Sequence, residues 1–231
     1  MDALFEYRQA LIDGILITLA LAFFSLLIAV GLGLLGALAK LSERPAARAC
    51  ADGYTTVVRG VPDLVLMLLV FFGGQQLLNS LGGVTGWWDY IEVNQFIAGV
   101  FTIGVIFGAY MTESFRGAIL AIPRGQIEAG LAYGMTSFQV FYRIIAPQMV
   151  RYALPSFTNN WLVQLKTTAL VSVIGLHDVV YNAFVAGRTT RQLFTFMFAV
   201  LVIYLVLTAI SDVFLRWLGR YYSKDMRSAT R

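Results

Sequence analysis

Charge is what this chain has least of. Of 231 residues only 13% are charged, against 58% hydrophobic, where a soluble domain carries about 25% charged residues. Mean hydropathy is +0.73. A water-soluble globule is excluded, and the chain reads as an all-α integral membrane protein. A single cysteine, Cys50, leaves no internal disulfide framework. A single histidine, His177, has Asp178 beside it but no second His or Cys, whereas a zinc site wants three or four ligands. No Gly-x-x-x-x-Gly-Lys-Ser/Thr cradle for a nucleotide phosphate occurs. No nucleophile and base stand out as a pair for hydrolysis. The net charge of +4 does not call for nucleic acid, because basic residues of membrane proteins collect in cytoplasmic loops.

Charge-free intervals define the spans. Residues 14–39, 64–88, 93–112 and 192–211 each run without an ionisable Asp, Glu, Lys or Arg, and about 20 helical residues cross a hydrocarbon core. The run Leu64-Val65-Leu66-Met67-Leu68-Leu69-Val70-Phe71-Phe72 does not alternate, which argues against a membrane barrel. A fifth span is predicted over 152–176, interrupted by Lys166 and locally irregular after Pro155; the alternative is a re-entrant hairpin that does not cross. The expected spans are 14–39, 64–82, 95–115, 152–176 and 192–215 of a single membrane domain covering 1–231. The first span is expected to stay in place, because it is longer than a signal-peptide core and the residues ahead of it are not basic.

Basic residues orient the spans. Lys40, Arg44, Arg48 and Arg59 fall in the segment 40–63, and Arg116, Arg124, Arg143 and Arg151 in 113–151. Arg216, Arg220, Lys224, Arg227 and Arg231 follow the last span. Five spans with the N-terminus outside and the C-terminus inside place all of these in the cytoplasm, as the positive-inside rule asks. Trp87, Trp88 and Tyr90 then mark an outer aromatic edge, and Trp217, Tyr221 and Tyr222 an inner one.

The longest extramembrane piece holds Glu128 to Pro147, Glu-Ala-Gly-Leu-Ala-Tyr-Gly-Met-Thr-Ser-Phe-Gln-Val-Phe-Tyr-Arg-Ile-Ile-Ala-Pro. It divides into a helix from Pro123 to about Gly134, with Glu128 near its start, and a second from Ser137 to Ile145 ended by Pro147. Tyr133, Met135, Phe138, Phe141 and Tyr142 make it either a docking knob for a soluble groove or an amphipathic pair resting on headgroups.

The pattern Glu128-Ala129-Gly130, then Gly134, Ile144, Ala146 and Pro147 resembles the E-A-A…G…I-x-L-P signature of bacterial ABC importer permeases, with Gly130 in place of Ala and Ala146 in place of Leu. The stretches Gly53–Pro62, Tyr110–Ile119, Asn159-Asn160-Trp161 and Leu165–Ser172 extend the resemblance over nearly the whole chain, to the polar-amino-acid branch that takes histidine, lysine, arginine, ornithine or opines. That resemblance implies a type I importer permease fold in the bacterial inner membrane. Its implied partners are a second homologous permease subunit, a dimeric ATPase that holds the ATP and Mg, and a periplasmic substrate-binding protein. It also implies that Glu128, Ala129, Gly130, Gly134, Ser137, Ile144 and Pro147 form the ATPase-coupling segment, and that this chain binds no cofactor itself. An ion-gradient transporter or channel subunit is the competing class, and would want internal repeats that are absent here.

Asn160, Gln164 and Thr167 recur at i, i+4 and i+7 on the fourth long helix, with Lys166 beside them. Intramembrane polar groups usually face a bundle interior or a water-filled cavity, so these four and Glu113 are candidates for the substrate pathway. Lys166 can meet a substrate carboxylate or act as a structural cation. Glu113 can meet a basic group or pair with Arg116, and the Asn/Gln/Thr stripe can equally join helices.

Overall fold

The computed structural model describes residues 2–223. Lys224, Arg227 and Arg231 of the expected basic tail lie outside the described residues, as do the side chains of Tyr221 and Tyr222. Every regular element among the described residues is helical. In chain order, α1 (Asp2–Glu6) leads into α2 (Arg8–Leu41), and α3 is Pro45–Gly60. One rod follows, made of α4 (Asp63–Leu68), a π-helical turn (Leu69–Gly73) and α5 (Gly74–Thr85). Next come α6 (Gln95–Leu120), α7 (Arg124–Ala132) and α8 (Ser137–Val140). A second π-helical turn (Phe141–Ile145) joins α8 to α9 (Ala146–Thr167), which tightens into a 3-10 segment (Thr168–Ile174). The chain closes with α10 (Val179–Thr189) and α11 (Leu193–Ser223).

Among the described residues four rods are long and apolar enough to cross a bilayer: Arg8–Leu41, Asp63–Thr85, Gln95–Leu120 and Leu193–Arg220. Ser137–Ile174 passes the same test only together with Val179–Thr189, which it meets at a bend of 52°, so the pair is a fifth, broken span or the re-entrant alternative. All five expected spans are present as helices.

The centre of the bundle is the pair α2 and α6. Besides Leu11 and Leu21, the buried α2 positions are Gly14, Thr18, Ala22, Ser25, Ala29, Gly33 and Ala37, a small side chain every third or fourth residue. Lipid is as apolar as leucine, so membrane helices associate by close packing, and small residues let backbones approach. A Cβ on Gly33 would sit 2.5 Å from Cβ of Met111 on α6. Larger buried side chains of α6, Ile103, Ile106, Phe107 and Met111, fill the remaining core with Leu21 and Met67. Leu16, Leu27 and Leu35 point outward from α2 and are exposed, as a lipid-facing surface should be.

Several local expectations are corrected. The segment 40–63, read as a cytoplasmic connection, contains α3 packed against α2 and α6. The Tyr54 hydroxyl donates to the Val105 carbonyl at 2.6 Å, and burial pushes the phenol up to about 12, which keeps the donor protonated. The segment after 176 contains α10, capped by Asp178, whose Oδ1 accepts from the Tyr181 amide at 2.8 Å. His177 is exposed and stacks on Tyr181 with ring centroids 4.6 Å apart, so it is a surface ring. Pro155 lies inside regular α9, and the expected irregularity falls instead in the 3-10 segment from Thr168.

Candidate functional site

The block between α6 and α9 has a defined shape. α7 ends in a Schellman arrangement: Gly134 has φ of 82°, its amide donates to Leu131 O at 2.9 Å, and the Met135 amide donates to Gly130 O at 3.1 Å. Only glycine takes that left-handed conformation without strain. A capping box then starts α8, with the Thr136 hydroxyl accepting from the Gln139 amide and Gln139 Oε1 accepting from the Thr136 amide at 2.9 Å.

The second piece is not ended by Pro147, and this is the main departure from the sequence reading. Pro147 has no amide hydrogen, and its ring would press on the carbonyl of Arg143 in a regular helix. The π-helical turn absorbs the misfit: the Ala146 amide donates to Phe141 O, one residue further back than in an α-helix. Pro147 therefore sits in the first turn of α9, and one helical rod runs from Ser137 to Ile174.

The two legs of the block lock together through the signature residues. Gly130 is buried, and a Cβ there would lie 2.6 Å from Ile144 Cδ1 and 3.2 Å from Val140 Cγ2. The Gln148 amide donates to Gln126 Oε1 at 2.6 Å, tying α7 to the start of α9. Glu128 lies in the second turn of α7, not at its start, and is exposed with Ala129 and Ser137. Tyr133, Phe138 and Tyr142 are 87%, 76% and 71% exposed. A rigid two-legged knob thus presents three aromatic side chains outward.

The polar positions of α9 divide among three environments. Asn160 Nδ2 donates to Ser114 Oγ of α6 at 2.9 Å. Gln164 is fully buried, its Nε2 donating to Ser25 Oγ of α2 at 2.9 Å. Thr167 returns its hydroxyl to Val163 O at 3.1 Å. Lys166, in the last turn of α9, is exposed. Asn160 and Gln164 thus take the interhelical alternative, Thr167 bonds back to its own helix, and Lys166, beside the stripe, is exposed.

Glu113 anchors a network at the basic end of α2, α3 and α6. Lys40 Nζ lies 2.6 Å from Glu113 Oε1 and 2.8 Å from Asp52 Oδ1. Arg116 Nη2 lies 2.9 Å from Glu113 Oε2, the pairing considered from the i, i+3 spacing. Beside this network a cavity of about 410 Å³ is lined by Lys40, Thr55, Thr56, Arg59 and Tyr110 as well as Glu113. The Arg59 guanidinium lies 5.2 Å from the Tyr110 ring centroid. Lys40 was read only as an orienting charge; it had no sequence signal as the partner of Glu113, because the two are far apart in the chain.

Residues 29–224 match the family model described as the binding-protein-dependent transport system inner membrane component. The chain belongs to that family. It is 48% identical to the histidine/lysine/arginine/ornithine transport system permease protein HisQ of Escherichia coli (strain K12), over 98% of this chain and 99% of HisQ. The octopine transport system permease protein OccQ of Rhizobium radiobacter is 43% identical, over 84% of this chain and 82% of OccQ. Among solved structures, an amino acid ABC transporter with histidines superposes with a TM-score of 0.80 at 32% identity, covering 94% of this chain and 96% of that one. The methionine transporter MetNI, inward facing, superposes with a TM-score of 0.72 at 18% identity over 94% and 98% of the two chains, which speaks for the fold alone. This permease is accordingly a multi-pass inner-membrane subunit of an ABC amino acid importer, with the type I importer fold.

Proposed function

We propose that this permease forms half of the pathway of an ATP-driven importer for basic amino acids or opines, beside a second homologous permease subunit. The observation that supports it is the unbroken rod from Ser137 to Ile174, which joins the exposed knob to the helix bearing Lys166. A push on the knob moves that helix as one body, because Gly130 against Ile144 leaves the two legs no slack. In this reading a loaded periplasmic protein docks outside and ATP closes the ATPase dimer inside. The knob, through Glu128, Ala129, Gly130, Gly134, Ser137, Ile144 and Pro147, converts that closure into outward opening. ATP and Mg stay on the ATPase, and this chain makes no covalent bond.

Along the pathway Lys166 meets the substrate carboxylate and Thr167 flanks it. Glu113, already held by Lys40 and Arg116, offers a carboxylate to a basic side chain near the inner end. Asn160 and Gln164 hold the pathway helix against α6 and α2. The choice of substrate class follows the names of HisQ and OccQ.

Reconstitution tests the reading. Both permease subunits, the ATPase and the binding protein are placed in liposomes, and uptake of labelled arginine, histidine and octopine is followed. Uptake is expected only with ATP and loaded binding protein. Uptake sustained by an ion gradient without ATP would overturn it.

A further inference from the structure

We infer that the inner end of this permease holds an anionic phospholipid in a cleft between α9 and α11. A cavity of about 480 Å³ opens there, with Arg151 on α9 and Arg216 and Arg220 on α11 around it, and Leu154, Pro155 and Leu215 among its apolar lining. Leu154 also borders a second cavity of about 280 Å³, lined by Leu34, Phe115, Met149 and Phe157 and by Leu218 of α11. The two cavities share Leu154 as a wall, which sets a basic mouth beside an oily recess.

Depth selects the occupant. With the expected spans 152–176 and 192–215, Arg151 precedes one crossing and Arg216 and Arg220 follow the other, which puts all three at the cytoplasmic headgroup level. Arginine forks match phosphate oxygens by paired hydrogen bonds, and basic pockets between transmembrane helices on this side suit anionic headgroups. Arg216 is also engaged by Asp212 one turn earlier, which fixes its direction. A soluble anion would use the mouth and leave the apolar recess wet; a two-chain lipid fills both. The inference needs the orientation of the spans but not the identity of the transported amino acid.

Native mass spectrometry of the purified complex, supplied with phosphatidylglycerol or phosphatidylcholine, tests it. Phosphatidylglycerol is expected to bind preferentially, and each Arg→Gln change at 151, 216 or 220 to weaken it about fivefold. Arg151→Lys and Arg220→Lys should keep most of the binding, which separates lost charge from lost packing. Equal retention of the two lipids by the unmodified complex would overturn the inference, with no variant required. So would unchanged phosphatidylglycerol binding in the triple glutamine variant. Truncation after Ser223 should leave lipid binding unchanged; a large gain would make the chain's own end the occupant and overturn it too.

Discussion

Replacing Gly134 isolates what the turn of the knob contributes. With φ of 82° at this residue, any L side chain is held in the left-handed region, at about 1–3 kcal/mol. No atom lies within 4 Å of an added Cβ, so the Cβ itself meets no collision and its cost is conformational. At about 1.4 kcal/mol per tenfold, Gly134→Val lowers the population of the native turn about fivefold to a hundredfold relative to competing backbones. Asparagine tolerates this region far better than a β-branched residue. Gly134→Asn should therefore stay near the unmodified protein, Gly134→Ala fall between, and Gly134→Val be worst. Membrane insertion should be the same in all three, because position 134 lies outside the spans. The assay is ATP hydrolysis by the purified complex with and without loaded binding protein, where Gly134→Val should lose most of the stimulation. Equal behaviour of the Asn and Val variants would show that φ is not the controlling quantity, and full stimulation in Gly134→Val would refute the reasoning outright.

Three further outcomes are expected. Reporter fusions after Gly83 and Arg188 should read external, and fusions after Arg48, Arg124 and Lys224 cytoplasmic; an internal signal at Arg188 would contradict the fifth crossing. Lys166→Met should assemble normally and slow uptake severalfold, since no carboxylate among the described residues pairs with the exposed ammonium; loss of assembly would make it a structural cation. Gln164→Leu should assemble and transport within about twofold of the unmodified protein, because interhelical polar contacts in membranes average about 0.6 kcal/mol and Oε1 has no partner to lose. Lost uptake in an assembled Gln164→Leu complex would return Gln164 to the pathway.

The five spans were legible because lipid demands apolar length, and length is visible in one dimension. The Glu128-to-Pro147 block was legible as two helical pieces by its Gly134 and Pro147 punctuation, but the meaning of Pro147 was not. A proline stops a helix unless the backbone can slip register, and nothing local distinguishes a stop from a π-helical turn. The Asn160, Gln164, Thr167 stripe was legible as one helical face, but not which of its two readings, substrate pathway or interhelical contact, each member would follow. Gln164 finds Ser25 across 139 positions of sequence, and pairing at that range leaves no mark on either segment. The seam of α2 could have been found: Gly14, Thr18, Ala22, Ser25, Ala29, Gly33 and Ala37 repeat at helical spacing inside a leucine-rich run. α3 was missed for a different reason, since its basic and small residues satisfied the expectation of a polar connection.

Motion is expected to enter the membrane at the knob. Ser137 is exposed at the first position of α8, so a cysteine there can reach a docked surface once the exposed Cys50 has been replaced. The direct measurement is disulfide crosslinking from position 137 to single cysteines on the ATPase within a complex that still transports. A crosslink should form in high yield and, once formed, abolish ATP-driven uptake until it is reduced. Full transport with no crosslink from position 137 to any ATPase site would place the block on the lipid surface and contradict the account.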